Sequence, residues 1–277
     1  MTIATIMVSL AFAQPNDARL AVAGELAERF GAGIIGVAAA QFTPPLYFTS
    51  GGQAQDLIDQ GEAAIRQKLG ELETQFRESV KGRAGTVIWR SALDFPARYV
   101  LAQARAADII VCGGQSPAFS DAFALASPKD LVMQAGRPLL VVPDHASRLD
   151  LRNVLVAWKD TPEARRAAAD SLPILRKAKD VVVAEVLEDR TERVAAEARL
   201  ADVAGWLSRH GVTASVRVTE PGEGRDAAAE LDRVADDIAA GVIIAGAYGH
   251  SRFRELVLGG VTQHLVTRTS RCVLLSH

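Results

Sequence analysis

The sequence carries little excess charge, and this absence argues against two classes of partner. Its 31 Lys and Arg residues nearly balance 33 Asp and Glu residues over 277 positions. A strong basic excess is what draws proteins to nucleic acid or to anionic membrane surfaces. We therefore expect neither nucleic acid nor a membrane among the partners of this protein.

The sequence also lacks an apolar run long enough to cross a bilayer. Its longest early run, 3–13, is interrupted by Thr5 and Ser9 and has no basic leader. A spanning helix needs about 20 apolar residues. We interpret the run as the first β-strand of a soluble protein and expect a cytoplasmic location.

Few residues are available to bind a metal or to act as a nucleophile. Cys112 and Cys272 are the two cysteines, and both lie in apolar strand-like runs, so we interpret them as small buried residues. The five histidines show no HxH or HExxH spacing, and no Walker lysine motif or early GxGxxG pattern occurs. The sequence therefore predicts no metal site and names no catalytic residue.

What is present is a regular alternation of apolar strand-like runs and helix-like runs. In the first half, strands are predicted at 3–10, 33–39, 86–90, 108–112 and 139–142, and helices at 16–30, 54–80, 96–107 and 122–135. In the second half, strands are predicted at 153–157, 181–187, 214–218, 242–245 and 272–276, and helices at 162–178, 192–210, 226–239 and 260–269. This alternation predicts parallel sheets with helices on both faces.

The two halves follow one plan. The segment 107–113 is similar to 240–246, and 137–142 is similar to 271–276, so the copies are offset by 133 or 134 positions. A unit of this length indicates a duplicated domain and not a solenoid repeat. We predict a first domain over 1–143 and a second over 152–277, with a short polar link between them.

Glycines cluster where the fourth strand of the second half ends and its last helix begins. Gly246 and Gly249 close the strand, and the pair Gly259 and Gly260 follows after nine intervening residues. Glycine leaves backbone amides open to a ligand, and a helix N-terminus attracts anions. The pattern predicts a phosphate-binding edge. The alternative is that the glycines only permit a tight turn and close helix packing.

This glycine spacing resembles the nucleotide-binding signature of the universal stress protein family. The last helix and strand of the chain also resemble the closing elements of that family. The resemblance implies two tandem doubly wound, five-stranded parallel-sheet domains of the UspA-like (adenine nucleotide alpha hydrolase-like) fold, which pair through 139–142 and 272–276 as an intramolecular pseudo-dimer. It implies an adenine nucleotide as ligand, namely ATP with or without Mg²⁺, and an unidentified protein partner. A homodimer would have to use another surface.

The resemblance also implies which residues of the second half contact the nucleotide. They come from the first-strand turn, the end of the second strand and the glycine segments: Ala157, Trp158, Lys159, Val186, Gly246, Gly249, Gly259, Gly260, Val261 and Thr262. Two positions depart from the family pattern, since Lys159 stands where an aspartate is usual and Gly260 where a small hydroxyl residue is usual. The missing hydroxyl removes one hydrogen bond, which is worth about 1 kcal/mol, so weakened binding is expected.

The first half departs further from the pattern. Gly113 ends its fourth strand, but Ser116 and Leu125 stand where the second half has later glycines. A leucine at that place would keep a phosphate from approaching the backbone. We expect a degenerate site that binds no ATP, so that this half serves as the structural partner of the other.

Three functions stay open at this point. The leading hypothesis is a regulatory stress protein that binds ATP in its second half. The alternative is a nucleotide-free stress protein that acts as a scaffold for protein contacts, which Lys159 and Gly260 favour. Slow ATP hydrolysis is a third, although the sequence names no base to activate water.

Several groups near the glycines allow two interpretations. Arg252, Arg254, His250 and His264 would either face phosphates or be ordinary surface residues. The aromatic-rich loop 41–52 would either cover a ligand, contact a partner or pack on its own domain.

Overall fold

The computed structural model describes residues 2–12, 14–43, 51–114, 123–187, 189–222, 224, 226–247, 260–267 and 270–277. The first half contains β1 (Thr5–Ser9), α1 (Asp17–Phe30), β2 (Gly33–Ala40), α2 (Gly51–Ser79), β3 (Val87–Leu93), α3 (Pro96–Gln103), β4 (Ile109–Gly113), α4 (Pro128–Gln134) and β5 (Leu139–Val142). The second contains β6 (Asn153–Trp158), α5 (Pro162–Asp170), α6 (Leu172–Leu175), β7 (Asp180–Val186), α7 (Arg193–Arg209), β8 (Ala214–Thr219), α8 (Ala227–Asp237), β9 (Val242–Gly246), α9 (Gly260–Thr267) and β10 (Cys272–Ser276).

The strands form one continuous sheet in the order β3-β2-β1-β4-β5-β10-β9-β6-β7-β8. Neighbouring strands within each half are parallel, and the two halves meet where β5 pairs antiparallel with β10, Leu140 opposite Leu274. This arrangement confirms the predicted pair of five-stranded parallel sheets joined through their final strands.

Apolar side chains on the two faces of the sheet form two helix-covered cores. Helices α1, α2, α5, α6 and α7 pack on one face, and α3, α4, α8 and α9 pack on the other. Because side chains alternate along a strand, the two junction strands supply both cores. Leu140 and Leu274 enter the first core, while Val141 and Val273 enter the second. Each core therefore continues across the junction between the halves.

Prolines account for two helix predictions that were wrong in their bounds. The predicted helix 162–178 is interrupted at Ser171, because Pro173 has no N–H to continue the ladder and lies in the first turn of α6. The predicted helix 122–135 is shorter, since α4 begins at Pro128. Ser127 before it is extended, as a residue preceding proline prefers.

Polar residues and a glycine stand at the ends of two helices, where such residues commonly act as caps. Thr161 caps α5, where its Oγ1 accepts the Ala164 N–H at 3.3 Å. Gly31 ends α1 in the left-handed conformation with φ of 62°. Asn16 does not cap α1. Its side chain instead closes the preceding loop, because Oδ1 accepts the Ala11 N–H at 2.9 Å and Nδ2 donates to the Ala11 carbonyl at 3.0 Å.

Candidate functional site

The predicted site of the second half begins at the carboxyl ends of three adjacent strands. In the sheet β6 lies between β9 and β7, with Ala157 beside both Ala245 and Ala184. The chain leaves β6 toward β7 but returns to the other side as β9, so strand order reverses between β6 and β9. Such a reversal is called a topological switch point, and ligands of doubly wound folds bind there. The structure thus brings Ala157, Val186 and Gly246 to one edge.

The start of α9 lies at the same edge. Strands β9 and β10 are parallel, so the helix that connects them runs back along the sheet and starts at the carboxyl ends. Gly260 opens α9 and is exposed, and a Cβ added there would meet none of the described residues within 4 Å. Thr262 is buried and Val261 packs partly against the core. The helix therefore presents its N-terminus at the edge, and no described residue covers Gly260.

Several candidate contacts lie outside the described residues or pair with another part of the chain. Gly249 and Gly259 fall in 248–259, beyond the described residues, together with His250, Arg252 and Arg254. The greater part of the loop 41–52 is likewise outside them. His264 is described, and it pairs through Nε2 with the Asp232 carboxylate of α8. Within the described chain this contact joins α8 and α9, which pack on the same face of the sheet.

Gly246 has a packing role that does not depend on a ligand. A Cβ at this position would lie 2.5 Å from the Ala164 backbone nitrogen and 2.6 Å from the Glu163 carbonyl carbon. Real Cβ atoms do not approach backbone so closely, and backbone cannot turn aside as a side chain can. The close approach of the first turn of α5 to the end of β9 therefore requires glycine here.

The turn after β6 divides its side chains between the two faces of the sheet. Ala157 packs toward the core that contains α9, whereas Trp158 packs toward α5 and α7 and is only 8% exposed. The Lys159 carbonyl accepts the Thr161 N–H at 2.6 Å, which directs the chain into α5. Residues 157–159 thus reach the edge with their backbone, while the Trp158 ring faces elsewhere.

The corresponding edge of the first half is filled by an arginine that sequence reasoning missed. Arg19 of α1 is 2% exposed and donates to the Ser9 carbonyl and to Gln14 Oε1, both at 3.2 Å. Its guanidinium covers Gly113, where an added Cβ would lie 2.1 Å from Nη2. Burial lowers the pKa of Arg19, against the opposing effects of Cys112 and Asp144. A cation of the chain itself occupies the first switch point.

The thiols and acids of the described residues offer little catalytic chemistry. Cys112 and Cys272 are both buried and free, as predicted, and burial raises the pKa of each to about 12. Neither is a thiolate at neutral pH. No group of three or more His, Cys, Asp or Glu in the described ranges could hold a metal ion. None of the helices described has the length and apolarity needed to cross a membrane.

The sheet order and the edge define a class of protein, the duplicated doubly wound α/β proteins with a ligand edge at a strand-order reversal. No family model matches the sequence, and no curated protein matches it.

Solved structures do resemble the chain. A universal stress protein from Archaeoglobus fulgidus DSM 4304 is 13% identical and covers 98% of this chain and 97% of its own, with a TM-score of 0.68. A functionally unknown protein from Pseudomonas aeruginosa PAO1 is 16% identical and covers 99% and 92%, with a TM-score of 0.56. A universal stress protein in complex with cAMP is 16% identical and covers 51% and 98%, with a TM-score of 0.38. The first likeness establishes that the whole chain has the fold of a universal stress protein.

Proposed function

We propose that the protein is a tandem universal stress protein whose second half binds an adenine nucleotide, ATP with or without Mg²⁺, as a regulatory ligand. The observation that carries the proposal is the contrast between the two switch points. In the second half the ends of β6, β7 and β9 and the start of α9 meet, and none of the described residues lies over Gly260. In the first half Arg19 lies over Gly113.

The chemistry of the second edge suits a nucleotide. Backbone amides at the start of α9 and the partial positive charge of its N-terminus would hold phosphate oxygens. The backbone at Val186, at the end of β7, would meet the adenine edge, and Lys159 would supply a positive charge near the phosphates. The bound nucleotide would then bias which protein partner the chain contacts.

The direct test is to look for nucleotide in the purified protein. Denaturation followed by chromatography should release an adenine nucleotide, and added Mg-ATP should raise the melting temperature. A ligand at 100 times its dissociation constant stabilises the folded state by about 2.7 kcal/mol. The variant Gly260→Asp adds a negative charge in open space and should abolish the ATP-induced shift, whereas Gly260→Ala should keep it. The proposal is refuted if denaturation releases no nucleotide and millimolar ATP does not shift the melting temperature.

A nucleotide-free scaffold is the second candidate, and a specific observation favours it. The glycine at the end of β9 is required by the approach of α5, with 2.5 Å from an added Cβ to the Ala164 nitrogen. Lys159 also replaces the usual acid of the family pattern. In this case the melting temperature would be independent of ATP in the parent protein and in every Gly260 variant.

A further inference from the structure

A second cavity lies in the same half but on the other face of the sheet. It has a volume of about 450 Å³ and opens between α5 and α7, above the end of β6. Its lining consists of Trp158, Asp160, Arg165, Ala168, Arg199, Asp202, Val203 and Trp206. Helix α9 packs in the opposite core, so this cavity and the start of α9 lie on opposite faces of the sheet, with the end of β6 between them.

Two indole rings form the apolar walls of the cavity. Trp158 is nearly buried, and its Nε1 has no hydrogen-bond partner among the described residues. Trp206 is partly buried and packs against His210 with ring centroids 4.5 Å apart. Only three tryptophans occur in the whole sequence. An indole is the aromatic side chain that attracts a cation most strongly through its face.

Both arginines of the lining already have carboxylate partners. Arg165 pairs with Asp160 at 2.6 Å, and Arg199 pairs with Glu185 at 2.6 Å. Glu185 is 7% exposed, so this second pair joins α7 to a nearly buried carboxylate of β7. Each guanidinium is already neutralised by a carboxylate, so an anionic ligand would gain little net electrostatic attraction from either. The cavity therefore gives little advantage to an anion.

One acid of the lining is left over by this pairing. Asp202 is exposed on α7 and makes no hydrogen bond or ion pair within the described part of the chain. Counting Glu185 with the lining, three carboxylates face two guanidiniums, which leaves one net negative charge beside the two indoles. Aromatic faces with a spare carboxylate are the features by which proteins bind substituted ammonium groups.

We propose that the cavity between α5 and α7 binds a small organic cation, an amine or quaternary ammonium with an apolar body. The body packs between Trp158 and Trp206, and the cationic centre faces the indoles and Asp202. This assignment does not rest on nucleotide binding, because it is argued only from the side chains that line the cavity between α5 and α7.

The test uses benzyltrimethylammonium as probe and tryptophan fluorescence as signal. Trp89 packs on Phe76 in the first half, with ring centroids 5.6 Å apart, so Trp89→Phe removes the signal that is unrelated to the cavity. In this variant the probe should change the fluorescence saturably. It should bind about tenfold more tightly than neutral benzyl alcohol or anionic phenylacetate, which lack the cation–π and charge terms.

Two substitutions locate the binding, measured by calorimetry so that the loss of a fluorophore does not matter. Trp206→Ala should weaken probe binding about tenfold, and Asp202→Asn about threefold. Glu197→Gln, on the same helix but outside the lining, is the matched control and should change nothing. Circular dichroism establishes that each variant is folded before binding is compared.

The proposal is overturned if the probe binds no better than phenylacetate, or if Asp202→Asn and Glu197→Gln bind it equally. It is also overturned if AMP binds in this cavity more tightly than the cation, which would make it an anion site. Loss of ATP binding in Gly260→Asp with unchanged probe binding would show that the two sites are distinct.

Discussion

At the switch point of each half, a different group packs over the glycine that ends the fourth strand. The fourth strand of each half ends in a glycine, Gly113 or Gly246, under the first turn of the first helix. Arg19 and Ala164 hold the same place in these helices, three residues after Asn16 and Thr161. In the first half the arginine head group reaches over the glycine, and in the second the helix backbone itself comes close.

This difference shows that a glycine at the end of the fourth strand is not by itself a nucleotide signature. Each half needs the glycine for internal packing, whatever it binds. What separates the halves is the group that stands where a phosphate would be held. A buried arginine occupies that place in the first half, while in the second half no residue that the structure describes lies in front of Gly260.

The largest expected effect is that of Gly246→Ala. The added Cβ would lie 2.5 Å from the Ala164 backbone nitrogen, so α5 must move away from β9. We expect a loss of about 3 kcal/mol in the free energy of unfolding, as for overpacked cores, measured by urea denaturation. Gly260→Ala, which meets nothing within 4 Å, is the control and should leave stability unchanged or slightly raised. Equal stability of the two variants would contradict the packing role of Gly246.

Arg19→Ala should cost about 2 kcal/mol, because it leaves the Ser9 carbonyl and Gln14 without their donor. Arg66→Ala on the exposed face of α2 should stay within about 0.5 kcal/mol of the parent. The comparison is sharpened by a double-mutant cycle. Gly113→Ala should destabilise the parent but be tolerated once Arg19 is alanine, and purely additive effects would mean that Arg19 does not fill the space over Gly113.

Gly260→Ser tests the contrast through ligand affinity. The serine restores the hydroxyl usual in the family pattern at a position with open space. A hydrogen bond to a charged oxygen contributes about 1.5 kcal/mol or more, so ATP should bind about tenfold more tightly, as measured by calorimetry. Ala126 stands at the corresponding place of the first half, and the matched change Ala126→Ser should create no ATP binding. If both or neither affects ATP binding, the halves do not differ as proposed.

The smallest expected difference concerns the thiols, which should behave alike in both halves. Burial raises the pKa of Cys112 and Cys272 from 9.0 to about 12. The folded state therefore retains these protons longer than the unfolded state does. Their contribution to stability is complete below pH 9 and is lost as the pH rises from 9 through 12. Iodoacetamide should label neither thiol in the folded protein at pH 7.5, and mass spectrometry showing one labelled thiol would contradict the burial.

The fold could be predicted from the sequence because its central strands are apolar and largely β-branched. Runs such as 109–112 and 242–245 are buried on both faces of a parallel sheet, which gives an unbroken apolar signal. Helix bounds were less predictable where alanine-rich sequence hides a stop. Pro173 divides the predicted helix 162–178, yet the helix-favouring residues around it suggest continuity.

The candidate site was predictable in its backbone and less so in its side chains. Parallel topology alone places Ala157, Val186 and Gly246 at one edge, and the structure brings them there. The side-chain direction of Trp158 depends on how α5 and α7 pack over it. Arg19 was missed because arginine in a first helical turn is normally solvated. The apolar residues that surround it in α1 are the one signal in the sequence that it is buried.

The antiparallel pairing of β5 with β10 makes each half the cover of the other's last strand. Excision of either half would bare a strand composed almost entirely of leucine, valine and cysteine, and such an edge invites aggregation. A protease cut in the 144–150 link should therefore leave two fragments that migrate together in gel filtration. The halves are held together by the β5–β10 ladder and by the cores that both halves share. The folded protein should not need the covalent link.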